Sequence, residues 1–351
     1  MVKILENVAA LPTYVPGKKT ADLDAVKLSS NENPYSPIPA VVSAGAEALR
    51  NANRYPQMYA DDLVAALSNR WGLQPENIVV GNGSVALLNH ALTAVAGAGD
   101  TVVMPWRSFE AYPIVIGTTQ AQIRGVNLTK EFRHDLDALA QAAQERDVKA
   151  VLLCSPNNPT GPALSETEVR DFMAKVPRKV MVLLDEAYVQ FVTNPDAVNG
   201  LELLADYDNL LVARTFSKAY QLAGLRVGWV AGSDANLMAA IRKVSTPFGV
   251  NLAAAAAACE ALQHEDDTAR QVSAIVAERE RTVAALREQG WNIPEAQGNF
   301  YWLPGAETVA PITEALRANH ISARPFPEGV RISVGLPPDN DRVVAALATL
   351  R

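Results

Sequence analysis

Residues 180–188 read Val-Met-Val-Leu-Leu-Asp-Glu-Ala-Tyr. Five successive apolar residues without polar alternation predict a short strand buried on both faces, and such strands belong to parallel sheets covered by helices. Similar runs lie on either side: Ile78-Val79-Val80, Thr101-Val102-Val103-Met104, Ala150-Val151-Leu152-Leu153 and Leu210-Leu211-Val212-Ala213. Helix-length segments separate them, so residues 40–245 are expected to form a large α/β domain with a mainly parallel sheet. Residues 1–39 are rich in proline and turn formers, and an extended arm packing on a smaller domain or on a partner subunit is expected there. Residues 246–351 change character. An alanine-rich helix at 252–262, a charged helix at 269–289 and short strands near 300–303, 321–324 and 330–334 predict a smaller α+β domain.

The 351 residues are 49% hydrophobic and 20% charged, which is ordinary globular usage and argues against a disordered or fibrous chain. Lys+Arg 31 against Asp+Glu 38 leaves a net charge of -7, the wrong sign for holding nucleic acid by bulk electrostatics. Cys154 and Cys259 are too few for a disulfide framework, and the scattered histidines have no ligand spacing. No metal site and a reducing compartment are therefore expected. The first residues lack the apolar stretch of a signal peptide, and no apolar run approaches the ~18 residues of a membrane span, so a cytoplasmic protein without a membrane partner is expected.

In open parallel sheets ligands bind beyond the carboxyl ends of the strands. The run 78–80 leads into Gly81-Asn82-Gly83-Ser84-Val85-Ala86 and then a helix, which would bring backbone N–H groups around a phosphate. The same turn fits a nicotinamide-dinucleotide fingerprint, although Asp100 precedes the next strand instead of ending it. The run 150–153 opens into Cys154-Ser155-Pro156-Asn157-Asn158-Pro159-Thr160-Gly161, where two prolines stiffen the backbone and an asparagine amide can be held toward a ligand. Asp185 ends its buried run and is costly there unless it meets a cationic ligand group. The run 210–213 passes into Arg214-Thr215-Phe216-Ser217-Lys218, with Arg226 shortly after; a neighbouring cation would lower the Lys218 amine pKa and make it a better nucleophile toward an aldehyde.

Pyridoxal phosphate needs a lysine amine, a carboxylate for its pyridinium nitrogen, a partner for its ring hydroxyl and a phosphate cup. Lys218, Asp185, Asn157 with Tyr188, and Ser84, Ser217 and Arg226 supply these in turn. A nicotinamide enzyme would leave Asp185 and Lys218 without a role. A non-catalytic regulator would need a DNA-binding extension, and the arm has neither the length nor the basic charge for one.

Ser-Pro-Asn-Asn-Pro-Thr-Gly at 155–161, Asp-Glu-Ala-Tyr at 185–188, Ser-Lys at 217–218 and Gly-Leu-Arg at 224–226 resemble the fold-type I aminotransferases. Ser30-Asn31-Glu32-Asn33-Pro34, Arg54-Tyr55-Pro56 and Arg331-Ile332-Ser333-Val334-Gly335 narrow the resemblance to the histidinol-phosphate aminotransferase branch, which includes aromatic amino-acid aminotransferases. The resemblance covers essentially the whole chain. It implies that Phe109 stacks on the cofactor ring and that Val85 lies with Ser84 at the phosphate. It also implies that Tyr55 reaches the cofactor phosphate of the opposite subunit in a homodimer with shared sites, and that Arg331 takes the substrate carboxylate. Arg324, Tyr14 and Asn33 are further substrate-binding candidates. The implied substrates are an amino acid and a 2-oxo acid, exchanged by ping-pong transamination. Ser84-Val85-Ala86, where the branch commonly continues Ser-Asp-Glu, makes the cavity mouth less polar, and Trp106–Pro113 looks like the aromatic enzymes. Phenylalanine or tyrosine is therefore the expected donor and histidinol phosphate the alternative.

Overall fold

The computed structural model describes residues 2–13 and 25–351. In chain order its strands are β1 Val26–Lys27, β2 Ile78–Gly81, β3 Thr101–Trp106, β4 Gln122–Asn127, β5 Val148–Cys154, β6 Met181–Asp185, β7 Leu210–Thr215, β8 Gly228–Gly232, β9 Phe300–Pro304, β10 Ile321–Ser322, β11 Arg324–Phe326 and β12 Gly329–Ser333. Each apolar run becomes a strand of one sheet with the order β2-β8-β7-β6-β5-β3-β4. Neighbours pair in parallel except at β8, which runs against β2 and β7. Successive side chains of a strand point to opposite faces, so the central strands feed two cores. Val151, Leu184 and Val212 pack with Val169 and Phe172 on one face. Leu152, Leu183 and Leu211 pack with Leu87, Leu88 and Leu92 of the helix Ser84–Val95 on the other.

Two strands of this sheet are not among the expected runs, although β8 holds a short buried apolar run, Trp229-Val230-Ala231, between two glycines. β4 is the sheet edge, and all but one of its residues are exposed, so its polar sequence Gln-Ile-Arg-Gly-Val-Asn protects an edge instead of filling a core. β8 begins at Gly228, where a Cβ would lie 2.7 Å from the Ser84 amide nitrogen and 2.9 Å from the Arg214 carbonyl. Backbone approach, not side-chain hydrophobicity, selects that residue.

In the C-terminal third, β9, β11 and β12 form an antiparallel sheet with the order β11-β12-β9. The alanine-rich helix, Leu252–Gln263, packs against the helix Pro39–Ala48, and a Cβ on Gly45 would sit 3.4 Å from the Ala253 carbonyl. Small residues on both helices permit that close crossing. The N-terminal segment touches both regions: β1 pairs in parallel with β10, and Asn7 donates to the Gly117 carbonyl at 3.0 Å. Among the described residues no helix is long and apolar enough to cross a membrane.

The charged helix, Glu265–Glu288, is anchored by a cation in its middle. Arg279 is 2% exposed and donates to the carbonyls of Phe191 at 2.8 Å and Gly298 at 3.1 Å and to Thr193 Oγ1 at 3.2 Å. Removing the guanidinium leaves two buried carbonyls unsatisfied and a void. Arg279→Ala is expected to lower the unfolding free energy by about 2–4 kcal/mol, read from the urea midpoint; a loss below about 0.5 kcal/mol would show that the contacts are replaceable by water.

Candidate active site

Strand register assembles the site. Cys154 pairs with Asp185, and Asp185 with Ala213, so β5, β6 and β7 end side by side and their loops open at one edge of the sheet. There a cavity of about 440 Å³ is lined by residues from all three loops, from the turn after β2 and from β11 and β12. Lys218, Asp185, Tyr188, Ser84, Val85, Ser217, Arg226, Phe109, Arg331 and Arg324 all reach its wall.

Asp185 and Glu186 are both almost fully buried and meet opposite conditions. Glu186 is satisfied by a cation of the fold: Arg214 Nη2 lies 2.7 Å from its Oε2, and the guanidinium stacks 4.9 Å from the Trp71 ring. Among the described residues Asp185 receives only neutral donors, the Tyr112 hydroxyl at 3.0 Å and the Ala187 N–H at 3.2 Å. Burial pushes its pKa up to about 6 against the pull of those hydrogen bonds. A buried carboxylate held this way is suited to a cationic ligand group.

Lys218 faces the same cavity. Its Nζ donates to the carbonyls of Ser30 and Asn31, both at 3.2 Å, and lies 5.6 Å from the Tyr188 ring. Burial first, then the charges of Arg331 and Arg226, bring its pKa down to about 7, while Glu32 and Asp185 oppose. Much of the amine is therefore neutral, and so nucleophilic, near neutral pH.

The third component is a group of donors. Ser84 starts the helix Ser84–Val95, presenting unpaired N–H groups and the positive end of the helix dipole. Arg226 Nη1 donates to Ser217 Oγ at 3.4 Å and to the Ala223 carbonyl at 3.0 Å. Gly83 has φ +80, and a Cβ there would lie 2.5 Å from Arg226 Nη2, so glycine is needed both for the turn and for the guanidinium beside it. Helix N–H groups, a serine hydroxyl and a guanidinium make a set suited to a phosphate dianion.

Several expected residues lie elsewhere. Asn157 does not line the cavity: its Oδ1 accepts from Ser108 Oγ at 2.7 Å, and its Nδ2 donates to the Arg107 carbonyl and to Thr160 Oγ1. The amide in the wall belongs to Asn158, whose Oδ1 accepts from Arg331 Nη1 at 2.5 Å. Arginine only donates, so Asn158 must present its oxygen there, and its NH2 is the group left for a ligand. Asn33 is not in the wall; its Nδ2 donates to the carbonyls of Lys218 and Ala219 at 3.2 and 3.4 Å, clamping the lysine backbone. Tyr55 is 83% exposed and stacks on Phe248, with ring centroids 5.0 Å apart, outside its own chain's cavity. Tyr14 lies outside the described residues. Val85 is in the wall as expected, but the wall is not free of acids, since Glu32 and Glu110 also line it.

Sequence reasoning also passed over Tyr112 and the Ser30 and Asn31 carbonyls. Asn158 could have been found from its place beside Pro159 in the same motif. A carbonyl in an irregular segment leaves no signal in the side-chain pattern.

Residues 24–347 match the sequence profile of the aminotransferase class I and II family. The chain belongs to that family. It is 44% identical over 342 residues to an aromatic amino acid aminotransferase of Cutibacterium acnes, covering 97% of this chain and 96% of that one. It is 45% identical over 343 residues to a protein of the same description from Thermobifida fusca, covering 97% and 95%. Among solved structures it resembles a histidinol-phosphate aminotransferase from Sinorhizobium meliloti in complex with pyridoxal-5'-phosphate, with a TM-score of 0.90, 27% identity, and coverage of 100% and 98%.

The Asp185 environment has a stability consequence. Its folded pKa of about 6 lies above the ordinary 3.8, so the folded chain holds the proton more tightly. The carboxyl opposes folding least below pH 4, and stability is lost as pH rises through 6. Asp185→Asn is therefore expected to stabilise the ligand-free protein by about 3 kcal/mol at pH 8, with the gain fading between pH 6 and 4. Urea unfolding at a series of pH values checks this; equal stabilities at pH 8 would show that the carboxylate is not buried unpaired.

Proposed function

We propose that the protein is a pyridoxal-phosphate-dependent aminotransferase that moves the amino group of an aromatic amino acid, phenylalanine or tyrosine, to 2-oxoglutarate. The observation that carries the chemistry is the meeting of the Lys218 amine, the Asp185 carboxylate and the donor group of Ser84, Ser217 and Arg226 in one cavity. The donor class is supported by the descriptions of the Cutibacterium acnes and Thermobifida fusca relatives. Histidinol phosphate is the second reading, favoured by the likeness to the Sinorhizobium meliloti enzyme.

When bound, pyridoxal phosphate supplies an aldehyde and an electron-accepting ring. Ser84, Val85, Ser217 and Arg226 would hold its phosphate, Phe109 would cover the ring face, and Tyr188 with Asn158 would meet the ring hydroxyl. Asp185 favours the protonated ring nitrogen, the cationic partner that the carboxylate lacks among its hydrogen-bond donors. The neutral Lys218 Nζ would move the proton from substrate Cα as general base and then acid. Arg331, held by Asn158 and by the Ser29 carbonyl at 2.7 Å, orients the substrate carboxylate. Holding Cα over Lys218 in this way favours proton removal over other reactions.

Two sites shared across a homodimer complete the reading. Its support is Tyr55, turned outward with Phe248, and the partly exposed Met58 and Tyr59, which share a cleft with Thr246 and Gly249. A cytoplasmic setting accords with two free cysteines.

A donor panel tests the function: kcat/KM for phenylalanine or tyrosine is expected to exceed that for histidinol phosphate about tenfold. The reverse order would transfer the assignment to histidinol phosphate. Mixing Tyr55→Ala and Lys218→Ala chains, each nearly inactive as a homodimer, is expected to restore part of the activity, because one of the two sites in the mixed dimer holds both native residues. Mixed dimers without activity would show that Tyr55 does not serve the opposite site.

A further inference from the structure

The part of the cavity around Arg331 carries more positive charge than one carboxylate requires. Arg324 of β11 and Arg331 of β12 are register partners, and both line the cavity. Their guanidinium carbons lie 5.7 and 5.9 Å from the Phe326 ring, and Arg107 lies 5.7 Å from the same ring. Left uncompensated, such a cluster would draw in anions. Two carboxylates intervene. Glu328 pairs with Arg107 at 2.7 Å, and Glu110 takes Arg324 in a two-pronged grip. Arg324 Nε donates to Glu110 Oε2 at 3.1 Å, and Nη2 donates to Oε1 at 2.8 Å and to Oε2 at 2.9 Å. The Arg324 side chain is only 12% exposed and that of Glu110 28%, so water screens the pair weakly and the cancellation is felt inside the cavity. Glu110 is well placed for this because it follows Phe109 directly and is itself part of the wall.

We propose that Glu110 is a specificity-determining residue: it neutralises Arg324 beside the carboxylate-binding Arg331, so that this part of the site takes the single carboxylate charge of an aromatic amino acid and discriminates against a donor that carries a phosphomethyl dianion in the carboxylate's place. The inference rests on the aromatic-donor reading above. Both donors bring a ring, and a carboxylate can be met by Arg331 with the Glu110–Arg324 ion pair intact. A phosphate must compete with Glu110 for the guanidinium and then remain beside the displaced carboxylate, so the repulsion is built into the wall. The α-carboxylate of an amino acid or of a 2-oxo acid brings a single negative charge to that place and meets less of it.

The test is the kcat/KM of the holoenzyme for phenylalanine and for histidinol phosphate; in ping-pong kinetics each value belongs to its own half-reaction and does not depend on the acceptor. Glu110→Gln keeps an oxygen for Arg324 but removes the charge. It is expected to raise the histidinol-phosphate to phenylalanine ratio about tenfold or more. Arg324→Gln is expected to lower that ratio, and Glu110→Asp to stay near the parent. A purely structural role for Glu110 would depress both donors alike. If the parent prefers phenylalanine and the ratio does not move in folded E110Q and R324Q, the inference fails while the substrate reading stands. If the parent prefers histidinol phosphate, the substrate reading fails and takes the inference with it.

Discussion

A buried carboxylate that takes no hydrogen bond from a cation among the described residues is the constraint on which this structure turns. Asp185 ends a strand whose every residue is buried, and burial holds its pKa near 6. The fold could have neutralised it as it neutralises Glu186, by a guanidinium from β7. It supplies a tyrosine hydroxyl and one backbone N–H instead, enough to orient the carboxylate but not to cancel its charge. The unfavourable energy is kept within the native state, and a cationic ring nitrogen would release it on binding. Stability is traded for ligand affinity at a single residue.

The opposite charge is treated in the same way. Burial, and then the charges of two arginines, bring the pKa of Lys218 down to about 7, while main-chain carbonyls fix the position of its amine. The donors around Ser84 need an anion, and the glycines that permit their approach, Gly83 and Gly228, would each clash if given a Cβ. The ends of one cavity are thus prepared for a phosphate and for a protonated ring. Such preparation is the electrostatic counterpart of shape complementarity, and it lets the ligand contribute to the stability of the folded chain.

The sheet was legible because its central strands are buried on both faces, and a run such as Val180–Leu184 between helix-length segments is the pattern such strands leave. β4 was not, since nearly all of its residues are exposed and leave no apolar run, and β8 was not, since its apolar stretch Trp229-Val230-Ala231 is cut short by glycines that backbone and side-chain clearance require. At the site, residues near strand ends were readable: Asp185 follows its apolar run directly, and Ser84 and Lys218 lie in the turns that follow theirs. Asn157 and Asn158 show where reading stops. Both fit the motif, and only the local backbone turns one toward Ser108 and the other toward Arg331. Tyr112 was hidden for a related reason, because its hydroxyl meets Asp185 from a different element 73 residues away in the chain.

The segment 29–33 shows why an irregular stretch can govern such a site. Asn31 is fully buried at φ +51, a left-handed conformation that asparagine tolerates better than most residues. In that conformation its Nδ2 donates to the Tyr188 hydroxyl, its N–H donates to Ser333 Oγ, and its carbonyl accepts from Lys218 Nζ. Ser29 supplies a carbonyl to Arg331, and Asn33 fastens the backbone after the lysine. One extended stretch therefore bonds to the amine, to the candidate ring-hydroxyl partner and to the candidate carboxylate-binding arginine, which stand on separate parts of the fold. Helices and strands satisfy their own main-chain groups and have few to lend. A segment outside regular structure has carbonyls to spare, and here they set the mutual positions of groups that the sheet alone delivers only to the same edge.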